Sequence, residues 1–152
     1  MLFNAIRESK PISKSNPGLE SLLVHENDIL ISRSGTVGNV IIVGHDLDQC
    51  GVSEHALRLV VDERKVSPLY VFCYLKTAHA KSYMEASAYG SVIITLNEAF
   101  VCAMTMPVFK GKVYDSIVAD IGEYKDKLAT AADLENEAID MEEREIESWQ
   151  EV

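Results

Sequence analysis

Between Lys112 and Trp149 the chain contains no proline and one glycine, Gly122. Apolar residues fall at Tyr114, Ile117, Ile121, Tyr124, Leu128 and Ala131, alternately three and four apart. That spacing is a heptad seam and predicts one long helix. Farther along, the stripe changes phase and is carried by Leu134, Ala138, Met141 and Trp149. About 38 helical residues span roughly 55 Å. Such a rod is too long for the remaining chain to cover. It is expected to stand off the body and to need a partner helix, because an isolated amphipathic helix is marginal in water.

Charge divides the chain at the same place. Residues 113–152 hold 13 Asp/Glu and 3 Lys/Arg, whereas residues 1–112 hold 11 of each. The whole net charge of −10 therefore belongs to the rod, and the body is neutral. Thirteen carboxylates on a rod repel nucleic acid, so the rod turns away from phosphate or meets a basic surface. A solvated coat on an ordinary coiled coil would have the same composition.

The body has the material for a core, with 47% apolar residues over the chain. No run approaches the roughly 18 apolar residues of a membrane span. The opening MLFNAIRESKPISKSNPG has no apolar segment between a basic start and a cleavage site, so no signal peptide is expected. Cys50, Cys73 and Cys102 are odd in number and show no CxxC spacing. They fit a reducing, cytoplasmic setting better than a disulfide framework.

Residues 1–20 are polar and carry Pro11, Pro17 and Gly18, which predicts an irregular lead-in. Leu22 to Val24 can be a short strand or a lid. Asp28 to Arg33 and Asn39 to Gly44 have strand length and β-branched content. The five residues between them, Ser34 to Gly38, make a glycine-containing hairpin loop. ALRLVVD at 56–62 alternates as a third strand. Ser67 and Pro68 form an N-cap and first-turn pair, so LYVFCYLKTA is a helix, apolar nearly all round and hence buried. Residues 79–87 read as a second, amphipathic helix, 91–96 as a strand, Asn97-Glu98 as the cap of a short helical turn, and 102–108 as a last extended run.

The order of these segments resembles the target recognition domain of type I restriction–modification specificity subunits. The motifs are DILISRSGTVGNVIIV, a strand after Ser53-Glu54-His55, SPLYVFCYL, YGSVIITLNEAF, and MPV leading into a long helix. They cover roughly residues 22–149, and their specificity lies in the order of five motifs rather than in any one. The resemblance implies a non-catalytic protein. In that family two recognition domains, joined by antiparallel spacer helices, each read half of a split DNA sequence, and the helices dock methyltransferase subunits. One recognition domain and one helix correspond to half of such a subunit, with fewer residues before the DILISRSG strand than the family pattern has.

The candidate DNA contacts follow from residue chemistry. Arg33, Ser34 and Thr36 can donate to phosphate oxygens, while Gly35 and Gly38 let backbone amides approach. Arg33 can instead read a guanine edge bidentately. The competing reading is a plain hairpin turn whose hydroxyls bond the local backbone. Ser53 and His55 can face DNA beside this loop, or be ordinary loop polars. Lys76, His79 and Lys81 gather at a helix junction, where cations are common anyway. Tyr89 and Ser91 flank Gly90 and can enter a groove, although a tyrosine before a glycine turn is more often a core lid. Tyr70, Phe72 and Tyr74 read as core rather than as a stacking platform. The partner face of the rod is Tyr114, Ile117, Ile121, Tyr124, Leu128 and Leu134.

Catalytic motifs are absent: no Gly-x-Ser-x-Gly, Walker loop, HExxH, GxGxxG or methyltransferase Asn/Asp-Pro-Pro-Tyr/Phe. His45, Cys50 and His55 lie five apart, which is not a zinc spacing. No cofactor or metal is expected. The sequence thus predicts an α+β protein: a small mixed β-sheet body with two short helices, and one long C-terminal helix forming a coiled-coil arm. Residues 1–111 form the recognition-like domain and 112–152 the acidic spacer or dimerisation helix. The expected partners are double-stranded DNA, a DNA methyltransferase subunit, and a second copy or second recognition half, with no membrane. The alternative is a protein-interaction adaptor, a degenerate recognition domain that pairs through its rod and does not bind DNA.

Overall fold

The computed structural model describes residues 11–13, 15, 17–34, 36–88 and 95–150. The expected strand at 91–96 lies outside them except for Thr95 and Leu96, as do Gly35, Tyr89 and Ser91.

The ILI run becomes the central strand β1 (Ile29–Ser32), and the VII run becomes β2 (Val40–Ile42). With β3 (Ala56–Leu59) they form a three-stranded sheet in the order β2-β1-β3. Both pairings are antiparallel, so the described sheet is not the mixed sheet the sequence suggested. Ile29 faces Ile42 and Leu59, Ile31 faces Val40 and Leu57, and Leu30 faces Ile41 and Arg58. Side chains alternate across a strand. Ile29 and Ile31 therefore enter the main core with Phe72, Leu75, Met84 and Leu96, while Leu30 joins Val24 and Val43 on the opposite face. Two buried faces explain why β1 is an unbroken apolar run rather than an alternating one.

Before the sheet, α1 (Leu19–Leu22) takes one helical turn, where a strand or lid was open. Leu23 then makes an isolated bridge to Gly51. Beyond the sheet, α2 (Pro68–Leu75) begins as the sequence dictates: the Ser67 hydroxyl accepts from the Leu69 amide, and proline occupies the first turn. Its Pro68, Tyr70, Phe72 and Leu75 are buried. Thr77 caps α3 (Ala78–Ser87) and Asn97 caps α4 (Glu98–Cys102) in the same way.

The run expected as extended at 102–108 starts later, after the end of α4 at Cys102 and its cap Ala103, and it joins no ladder among the described residues. Its backbone is held by tyrosines of α2 instead. The Tyr74 hydroxyl donates to the Thr105 carbonyl at 2.9 Å and the Tyr70 hydroxyl to that of Pro107 at 3.0 Å. The Phe109 amide in turn donates to the Tyr70 hydroxyl. A side-chain pair has taken the hydrogen bonds that a strand neighbour would have used.

The long helix is α5 (Lys112–Gln150). Its first two thirds do not stand off the body. Tyr114 stacks on Tyr70 with ring centroids 4.8 Å apart, and its hydroxyl accepts from the Ser67 amide at 2.8 Å. Ile121 packs against the main core, and Tyr124 stacks on Phe72. Lys125 donates to Glu26 at 2.6 Å and to Asn27 at 2.8 Å. Residues Tyr114, Ile117, Ile121, Leu128, Ala129, Ala132 and Ile139 are buried or half-buried. Most of the seam assigned to a partner helix is thus used on the chain's own body, because α2 is apolar all round and offers it a surface. From Asp140 to Trp149 every residue is exposed. No described helix is long and apolar enough to cross a membrane.

Candidate nucleic-acid interface

Three chain segments converge at one end of the sheet. The Arg33 amide donates to the His55 carbonyl at 2.7 Å, and the Leu96 amide donates to the Arg33 carbonyl at 2.8 Å. Ser34 bridges to Thr95. The Ser34 hydroxyl lies 2.9 Å from His55 Nδ1. The backbone around Arg33 is therefore clamped between β3's entry loop and the chain at 95–96, while Arg33 itself is exposed.

The loop between β1 and β2 is built from within. The Ser32 hydroxyl donates to the Thr36 carbonyl and accepts from the Asn39 amide at 2.9 Å. The Gly38 amide donates to the Ser32 carbonyl at 3.1 Å. Gly38 has φ of 80°, and a Cβ there would meet Met84 Cβ at 3.5 Å. Left-handed backbone in a packed position is the situation in which glycine is needed. Val37, one residue earlier, is buried in the main core. Thr36 remains exposed at the tip.

Ser53 and His55 are exposed beside this loop, and the His55 amide donates to the Ser53 hydroxyl at 3.4 Å. Lys76 comes from the C-terminal end of α2, where it is exposed and its ammonium lies 5.9 Å from the centre of the Phe72 ring. Ser53, His55 and Lys76 line one cleft of about 750 Å³, together with Ser32, Asn39, Leu30, β2, Tyr124 and Leu128. Polar donors thus surround an apolar floor. Lys81 is not part of this cleft. It lies on α3, exposed, 3.9 Å from Glu85 one turn on. A separate cleft of about 350 Å³ is lined by Glu20, Glu26, Asp28 and Glu63, with Arg58 and His25. Its carboxylates make it a poor seat for phosphate.

The sequence reading missed two structural residues, Ser32 at the loop and Asp28 at the other end of β1. Ser32 was counted as strand, yet its hydroxyl ties both sides of the loop. Asp28, the first residue of DILISRSG, is buried at 5% exposure. Its carboxylate accepts from the His25 amide at 2.9 Å and closes the turn in which Asn27 takes φ of 72°. An aspartate two residues after a polar pair and just before a strand is the available signal for such a turn. Among the described residues no three His, Cys, Asp or Glu side chains gather so as to hold a metal ion.

No protein-family model matches this chain, and no curated protein is significantly similar to it.

Proposed function

We propose that this protein is a sequence-specific DNA recognition module of a restriction–modification system, non-catalytic, with α5 as the arm that holds a methyltransferase or a second recognition half. The observation that carries the reading is the convergence of Arg33, Ser34 and His55 at one sheet end, with Thr36 exposed on the same loop and with Ser53, His55 and Lys76 lining one cleft. These are donors suited to phosphate and to base edges. They sit on residues 1–112, whose net charge is zero, and acidic α5 reaches the same cleft through Tyr124 and Leu128. The resemblance in motif order supplies the system.

Selection from a random duplex pool, read by fluorescence anisotropy, tests the proposal. The expected result is enrichment of a defined sequence. Arg33→Ala then costs about 1–3 kcal/mol of specific binding and relaxes one position, as for a base contact. Lys76→Ala weakens all sequences alike and lowers the salt dependence. Failure to enrich any sequence, with or without a methyltransferase subunit, overturns the reading. The adaptor alternative has one observation in its favour, the exposed apolar residues on distal α5; it expects no DNA retention even at low salt.

A further inference from the structure

The seated face of α5 and its outward face differ by roughly a third of a turn. Ile121, Leu128, Ala132 and Ile139 point to the body, whereas Leu134, Ala138, Met141 and Trp149 recur on the other side at spacings that 3.6 residues per turn bring into line. Leu134 is 62% exposed, Met141 55% and Trp149 70%. Large apolar side chains this open, on one stripe, mark an interaction surface. The indole is held on the helix, since Trp149 Nε1 donates to Glu145 Oε1 at 3.2 Å.

Charge selects the occupant. Residues 133–151 hold nine Asp/Glu and one Arg. A second copy laid along this stripe, in either direction, would bring a net −8 against −8. A helix with an apolar stripe flanked by Lys and Arg would meet both the apolar residues and the carboxylates. We propose that the outward stripe Leu134–Met141–Trp149 docks a basic amphipathic helix of another protein, and not a second copy of this chain. The inference rests on the reading of α5 as an arm and is independent of DNA binding.

Trp149 is the sole tryptophan, so its emission reports on the stripe directly. The full chain at neutral pH and low salt is titrated with a synthetic amphipathic Leu/Lys peptide and with a Leu/Glu peptide of equal length. The expected result is a saturable blue shift with the Leu/Lys peptide, none with the Leu/Glu peptide, and weakening as salt rises. The double variant Leu134→Glu with Met141→Glu, at exposed positions, keeps its circular dichroism and binds at least about tenfold more weakly, equivalent to roughly 1.4 kcal/mol. A stable dimer of the free chain in light scattering, with Trp149 already blue-shifted, overturns the proposal in favour of a second copy. Unchanged peptide binding by the double variant overturns it in favour of charge alone, and absence of any shift overturns it outright. The same variant in the duplex selection separates the two proposals: loss of peptide binding with DNA enrichment intact concerns only the stripe.

Discussion

The two parts of α5 are one continuous helix with opposite relations to the rest of the molecule. From Tyr114 to Ile139 one face is covered by α2, by the turn at Glu26–Asn27 and by the short 3-10 turn His45–Leu47. From Asp140 to Trp149 every residue is exposed. Both parts carry apolar residues at helical spacing, so periodicity alone does not separate them. What separates them is the neighbour: a helix seam is satisfied by whichever apolar surface lies nearest. In this chain that surface is the chain's own body over the first part, while the side chains of the second part are exposed.

The largest expected effect lies beneath the covered part. Phe72 is 3% exposed and supports Tyr124 by ring stacking at 6.1 Å. Phe72→Ala is expected to cost about 3–5 kcal/mol in urea unfolding, through lost burial and the cavity left behind. A loss below about 1 kcal/mol, within the range of a surface change, would mean that α5 is not seated there. A smaller effect is expected at the clamp on Glu26 and Asn27. Lys125 is mostly covered, but Glu26 is half exposed and solvent screens the pair. Lys125→Ala is therefore expected to cost about 1–2 kcal/mol by the same measurement. The smallest effect belongs to the open part: Met141→Asp should leave stability within about 0.5 kcal/mol. A large loss at Met141 would erase the distinction between the two parts.

The α+β architecture was legible because its local rules are strong. Ser67-Pro68 and Asn97 each announce a helix start by capping chemistry, and each does cap; Thr77, expected inside the first helix, instead caps the second. The strands at Ile29 and Val40 follow from β-branched runs set off by a glycine loop, and the strand at Ala56 from alternation. The third strand stops at Leu59 instead of Asp62, because Val60 turns outward at 65% exposure and Asp62 to Lys65 form a turn. Arg64 donates both its Nε and a terminal nitrogen to Asp62 in that turn, which holds the Asp62 carboxyl below the usual carboxylate range.

What could not be read was long-range. Nothing near Thr105 or Pro107 foretells that tyrosines some thirty residues earlier will take their carbonyls. Likewise, Ser34 and His55 are ordinary loop polars until the antiparallel pairing of β1 with β3 sets them 2.9 Å apart. The choice between a hydroxyl that holds its turn and one that reaches outward is now divided within the loop. Ser34 and Ser32 are occupied internally, while Arg33 and Thr36 are exposed.

That division has an evolutionary consequence. Of the described loop positions, Val37 is a plug in the core and Gly38 is fixed by its backbone and by Met84. A lineage that needed a new ligand at this end could rewrite Arg33 and Thr36 freely. It could lengthen the loop only by pulling out the plug. Diversification here should therefore proceed by exchanging side chains on a finger of constant length.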